Sequence, residues 1–122
     1  EGFFADIRKR AADAGMKNVT TVLGKFTDPN LPVKNLDVIF FHDVLHHVDD
    51  RAAYLKSLGP YLKPAGRVVH IDYEAGQGPH AKQPELQVTR DQLGALMAAA
   101  GFTQSDDVKL FQDRYFLVYS KR

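Results

Sequence analysis

The spacing of apolar and polar positions divides this chain into alternating helical and extended stretches. Phe3, Phe4, Ile7, Ala11 and Ala14 line one face of a helix, and Asp6, Arg8, Lys9, Arg10 and Asp13 fill the other. Gly15 suits the left-handed stop after it. NVTTVLG (18–24) is rich in β-branched residues and predicts a short strand. KFTDPNLPVKN (25–35) carries Asp28-Pro29 and Leu31-Pro32, which mark a loop. LDVIFF (36–41) is the clearest strand, and its apolar run predicts burial on both faces, as in a parallel sheet.

Downstream the alternation continues. Asp49 or Asp50 can cap the next helix, whose apolar stripe is Tyr54, Leu55, Leu58 and Leu62. Pro60 kinks that helix or tightens its last turn. Lys63-Pro64-Ala65-Gly66 predicts a turn, and RVVHIDY (67–73) a second buried strand. EAGQGPHAKQPELQV (74–88) holds two glycines and two prolines and predicts a long loop, of the length that serves as a binding loop or lid. Thr89 and Gln92 can form a capping box, with Leu93, Leu96, Met97 and Ala100 lining the following helix and Gly101 ending it. VKLF (108–111) and RYFLVYS (114–120), separated by Gln112-Asp113, predict a terminal antiparallel hairpin. Strands separated by helices predict an α/β fold with a mainly parallel sheet and a C-terminal antiparallel hairpin.

Composition narrows the picture. At 122 residues the chain is one domain, and 44% apolar with 25% charged residues is ordinary globular usage. A formal net charge of +1 gives no ground for a nucleic-acid or anionic-membrane partner. With no cysteine, disulfides and thiolate metal sites are excluded, and a cytoplasmic location is the expectation. The apolar runs VIFF and ALMAAA are too short to span a bilayer, and no signal peptide is legible.

Three motifs then carry a resemblance. DVIFFHDVLHHVDD, YLKPAGRVVHIDY, and the stretch from TRDQLGALMAAAGF to YFLVYS resemble, in that order, parts of the class I S-adenosylmethionine-dependent methyltransferases. Within that class the chain is most similar to the quinone-biosynthesis and arsenite methyltransferase branch. The motifs match the family's fourth strand with its histidine turn, its "LkPGG" turn with the fifth strand, and its last helix with two antiparallel strands. ADIRKRAADAGMKNVTTVLG resembles the helix and third strand before them.

The resemblance implies a partial Rossmann-like methyltransferase sheet, with residues 1–122 forming a single domain incomplete at its amino terminus. The family's glycine-rich turn and its ribose-binding acid are missing; Glu1 stands just beyond the place of that acid. Without the strands that flank it in the family, LDVIFF would show a bare apolar edge. Either a homo-oligomer follows, with a segment-swapped dimer as one way to complete the sheet, or the chain is a piece of a longer protein.

The implied activity is methyl transfer from S-adenosylmethionine to a small molecule. Cofactor-side residues would be Lys25, Phe26, Phe41, His42 and Asp43, although Lys25 stands where the family often has an adenine-binding aspartate. His46 or His47 would face the acceptor, where a neutral imidazole can take a proton. Asp72, Tyr73 and Glu74, at the end of the second strand, would line the acceptor site. Gly76-Gln77-Gly78 leads into no immediate helix and reads as a flexible loop rather than a phosphate turn.

Two other function classes use the same residues. One is a non-catalytic binding or oligomerising remnant of the methyltransferase fold. The other is a histidine-dependent metal hydrolase, since His42 and His46 have the spacing of H-x-x-x-H. A strand directly before that motif does not enforce the helical geometry, and the third ligand would have to be His47, His70 or Asp72. No metal is therefore assigned.

Overall fold

The computed structural model describes residues 2–122, so Glu1 lies outside the described residues. The elements are α1 (Phe4–Asp13), β1 (Leu36–His42), α2 (Arg51–Lys56), β2 (Leu62–Tyr73), α3 (Arg90–Ala99), β3 (Phe102–Asp107) and β4 (Arg114–Lys121). They form an α/β fold built on one mixed sheet. The sheet order is β1-β2-β4-β3, with β1 parallel to β2 and the other two pairings antiparallel. No described helix is long and apolar enough to cross a membrane.

Period-two alternation sorts the strands onto two faces. Ile39 and Phe41 of β1, Val68, His70 and Asp72 of β2, and Tyr115, Leu117 and Tyr119 of β4 stand in register with one another. Most of these join Leu55, Leu93 and Met97 in one buried cluster. The helices hold their places through local chemistry. Asp50 accepts the Ala53 N–H at 3.0 Å to cap α2, and Thr89 and Gln92 close the expected capping box on α3. Pro60 sits in a 3₁₀ turn, Gly59–Tyr61, just after α2 ends. None of the residues of α1 is buried.

Four expectations change. Residues 18–24 form no strand, because no neighbouring strand offers their backbone groups a ladder. An isolated bridge between Lys25 and Asp28 is what pairs there instead. Lys63–Gly66 is not a free turn. It is drawn into β2 as a bulge, since Leu36 pairs with Leu62 whereas Val38 pairs with Arg67. Ala65 has no positive φ, and Gly66 is needed because a Cβ there would come within 2.8 Å of Leu62 Cδ2. The hairpin's first strand is the polar FTQSDD, directly after Gly101, rather than VKLF. Only one edge of that strand is paired and most of its side chains face water, so apolar periodicity did not mark it. Finally, LDVIFF is not buried on both faces. β1 is an edge strand with Val38 46% and Phe40 57% exposed.

His70 is the buried group with the clearest energetic signature. Its ring lies flat on Phe41, centroids 4.7 Å apart, and meets Tyr119 edge-on. Nε2 has no hydrogen-bond partner, and burial pushes the imidazole pKa down to about 3. Unfolding releases this group to its ordinary value of about 6.5, so between those values the unfolded chain binds a proton that the folded one refuses. Stability is therefore lost as pH falls below about 6.5. Urea unfolding of the wild type should lose about 2 kcal/mol between pH 7 and pH 5 beyond the loss in His70→Leu. Equal losses in the two proteins would mean that His70 is solvated in the folded state.

Candidate active site

At the carboxyl end of β1 the chain makes a sharp bend. Asp43 adopts φ 55°, a left-handed conformation that aspartate tolerates better than most residues. Its N–H still donates to Ile71 O at 2.8 Å, so the bend is an extension of the parallel pairing. A 3₁₀ turn, Leu45–His47, follows and turns Leu45 and His46 inward. β2 runs parallel to β1 and delivers Asp72 to the same end.

His46 and Asp72 meet there. His46 Nδ1 lies 2.9 Å from both carboxylate oxygens of Asp72, with the two side chains only 4% and 6% exposed. An ionised carboxylate can only accept, so Nδ1 carries a proton, and in the neutral imidazole Nε2 keeps its lone pair. Asp72 also accepts its neighbour's N–H, from Tyr73 at 2.8 Å. His47 stays exposed, with its ring centroid 4.2 Å from that of His46.

The long loop folds back over this turn, and Arg51 holds the two together. Its guanidinium donates to the carbonyls of Leu45 at 3.3 Å and His46 at 2.8 Å on one side. On the other it donates to Glu85 at 3.1 Å and Gln87 at 3.5 Å. Gln87 in turn donates to His80 O at 2.6 Å. His80 is thereby brought against His46 and His47, with ring centroids 5.3 and 5.4 Å away. The turn and loop enclose a cleft of about 460 Å³ lined by His46, His47, Asp49, Arg51 and Glu85 among others. Gly78 has φ +76° and sits on the Tyr73 ring, where a Cβ would collide at 2.5 Å, so the loop's path depends on that glycine.

The remaining candidate residues take different places. Tyr73 lies under the Arg114 guanidinium, which sits 4.2 Å from the ring centroid and donates to its hydroxyl, and it borders a second, smaller hollow with His46, Asp72 and His80. Glu74 accepts Arg90 Nε at 2.9 Å with both oxygens, fastening the start of the loop to α3. Asp43 is paired with Arg114 at 3.2 Å, and His42 is exposed beside it. The Asp43 hydrogen bond holds the Arg114 pKa above its usual value.

Phe41 is buried in the core, so its ring presents no face to a cofactor. Lys25 and Phe26 are exposed, Phe26 at 89%, on a turn pinned through Asp28 to the Tyr61 hydroxyl at 2.6 Å. Tyr61 enters β2 at the strand end opposite the His42–Asp43 bend. The same hydrogen bond holds the Asp28 carboxyl below its usual range. Lys25 and Phe26 are thus not brought to the bend where His42 and Asp43 stand. S-adenosylmethionine needs a free acid for its ribose hydroxyls and close backbone approach. The glycine-rich turn and ribose-binding acid that the resemblance implies have no counterpart among the described residues, and Asp43 at the bend is tied to Arg114.

His80 and Arg51 were missed by the sequence reading. A single histidine in a Gly/Pro-rich loop gives no local sign of its destination, and Arg51 reads only as the first residue of a helix.

Residues 1–70 match the family described as "Methyltransferase domain". Fold and family agree: this is a methyltransferase-type domain. The chain belongs to the methyltransferase-domain family. Among solved structures it is similar to a SAM-dependent methyltransferase from Aquifex aeolicus, at 20% identity and TM-score 0.84, covering all of this chain and 65% of that one. It is similar to a protein from Pyrococcus horikoshii OT3 at 18% identity and TM-score 0.82, covering all of this chain and 68% of that one. A third is the O-methyltransferase of neocarzinostatin biosynthesis, solved with S-adenosyl-L-homocysteine and 1,4-dihydroxy-2-naphthoic acid. There the identity is 21% and the TM-score 0.79, over all of this chain and 40% of that one. The chain thus spans about two thirds or less of the length of these relatives. No curated protein sequence matches it.

Replacing Arg51 tests the clamp. Arg51→Ala should destabilise the fold by about 1–3 kcal/mol, since hydrogen bonds from a charged donor are removed. Amide hydrogen exchange should accelerate in residues 77–87 far more than in β2. Unchanged exchange in the loop would show that the guanidinium does not hold it.

Proposed function

We propose that this chain forms the acceptor side of an S-adenosylmethionine-dependent methyltransferase acting on a small molecule. The observation that carries the reading is the buried His46–Asp72 pair at the cleft. Asp72 holds the imidazole in the tautomer whose Nε2 can accept a proton, and it stabilises the imidazolium that forms when it does. An acceptor hydroxyl or amine placed against Nε2 would lose its proton to His46 as it gains the methyl group. The loop over residues 74–88 would exclude water and orient the acceptor, and His42 and Asp43 would border the donor side.

The family match, the similarity to a SAM-dependent methyltransferase and the S-adenosyl-L-homocysteine bound in the neocarzinostatin enzyme support the class of donor. The relatives' greater length supports a donor site completed by segments outside these 122 residues. The phenolic ligand in the neocarzinostatin enzyme makes 1,4-dihydroxy-2-naphthoic acid a reasonable first acceptor to try.

Transfer of labelled methyl from S-adenosylmethionine to that acceptor, and to other small phenols, checks the reading. His46→Ala should lower kcat by about 10²–10⁴-fold, the usual worth of a positioned base. Asp72→Asn should lower kcat at every pH with little change in KM for the acceptor. Absence of transfer, together with no binding of S-adenosylhomocysteine, would favour a non-catalytic role for the domain.

We also infer self-association. In residues 2–122 taken alone, the edge of β1 and its exposed Val38 and Phe40 offer unpaired backbone groups and apolar surface to a second copy; segments that complete the donor site would take that edge instead. Light scattering should give a dimer mass for the wild type and a monomer mass for Phe40→Lys. A wild type that stays monomeric at high concentration would reject this.

A further inference from the structure

Three imidazoles from two distant segments converge beside the cleft. His46 and His47 come from the turn after β1, and His80 from the loop after β2. One ring nitrogen of each lies within 4.8 Å of the other two. Two of the three tautomers are set by partners behind the ring. Asp72 takes the Nδ1–H of His46, and Gln83 Oε1, 2.9 Å away, takes that of His80. In the neutral ring each therefore keeps an unprotonated Nε2. A carboxylate or amide oxygen behind an imidazole is the usual support of a metal-binding histidine, because it fixes the ring and raises its basicity.

We propose that His46, His47 and His80 form a site for a divalent first-row transition ion of the zinc type. Imidazole nitrogens suit Zn²⁺, Co²⁺, Ni²⁺ or Cu²⁺, whereas Mg²⁺ and Ca²⁺ prefer oxygen. Three nitrogens around a tetrahedral ion, each at about 2.0–2.1 Å, stand about 3.3 Å apart. Side-chain rotation of the exposed His47 and a small settling of the loop close the difference. The charge around the cluster suits a cation. Asp72 lies behind His46, and Asp49 and Glu85 line the cleft, against the single positive charge of Arg51. The three ligands leave a fourth position open to the cleft for water or a ligand oxygen.

The spacing does not follow the H-x-x-x-H pattern. His42 is exposed next to Asp43 and takes no part. The site depends instead on the loop being docked. Metal there would occupy the lone pair that His46 offers as a base, so ion binding and proton abstraction would exclude each other. That last consequence rests on the methyltransferase reading; the metal site itself does not.

Cobalt titration of protein carrying no histidine tag tests it without any enzyme assay. Four-coordinate Co²⁺ should give visible d–d absorption that saturates at one equivalent and disappears on adding Zn²⁺. His80→Ala, with folding checked by circular dichroism, should weaken the affinity at least tenfold. Gln83→Ala should weaken it by about tenfold through loss of the support behind His80. His42→Ala should bind as the wild type does. Affinity should fall in acid, because protons compete for the same lone pairs. No saturable signal at millimolar Co²⁺, or wild-type affinity in both His47→Ala and His80→Ala, would overturn the proposal.

Discussion

The parallel pairing of β1 with β2 is the constraint on which the site depends. From Val38↔Arg67 to His42↔Ile71 the two strands advance together, so both end on the same side of the sheet. The bend after one strand and the last inward residue of the other must then meet. That meeting is His46 with Asp72. A slip of one residue would turn Asp72 to the opposite face and leave His46 buried without a partner. The bulge at Lys63–Gly66 absorbs the extra residues at the far end, where they do no harm to the register near the chemistry.

Around that meeting point, charged side chains tie successive elements together rather than decorate the surface. Arg51 joins the histidine turn to the long loop through four carbonyls. Arg90 joins Glu74 at the start of the loop to Asp107 at the end of β3. Arg114 reaches from β4 to Asp43 and lies over Tyr73. Each arginine keeps its planar fork partly buried against fixed acceptors, an arrangement lysine could not reproduce. The result is a histidine cluster whose backbone is held from three sides while one side stays open.

Much of this was legible in the sequence, for identifiable reasons. β1 and the Arg67–Tyr73 stretch of β2 show as dense apolar runs, and the Thr89/Gln92 box marks α3 by local chemistry alone. The histidines and Asp72 could be placed at a strand end from element order. Their partnership could not, because it arises from register. The residues at 18–24 have strand-like composition but need a neighbour to become one. VKLF misled because Leu110 and Phe111 are apolar yet exposed, while the true strand carries a polar face. His80 was invisible because its position is set by the fold of a loop whose anchors are scattered over the chain.

The loop's two ends are fastened to the scaffold independently of its middle. Glu74 is held by Arg90 and by the Asp113 carbonyl, and Val88 O accepts the Tyr115 hydroxyl at 2.7 Å. Burial keeps that phenol protonated far into alkali. Between these anchors the segment meets the sheet through Gly78 on the Tyr73 ring and the histidine turn through His80 and the Arg51 clamp. Related proteins could exchange its interior as a cassette, trading one molecular preference for another while the framework below stays untouched. Diversification of such a domain would then proceed by replacing a short insert rather than by rebuilding the core.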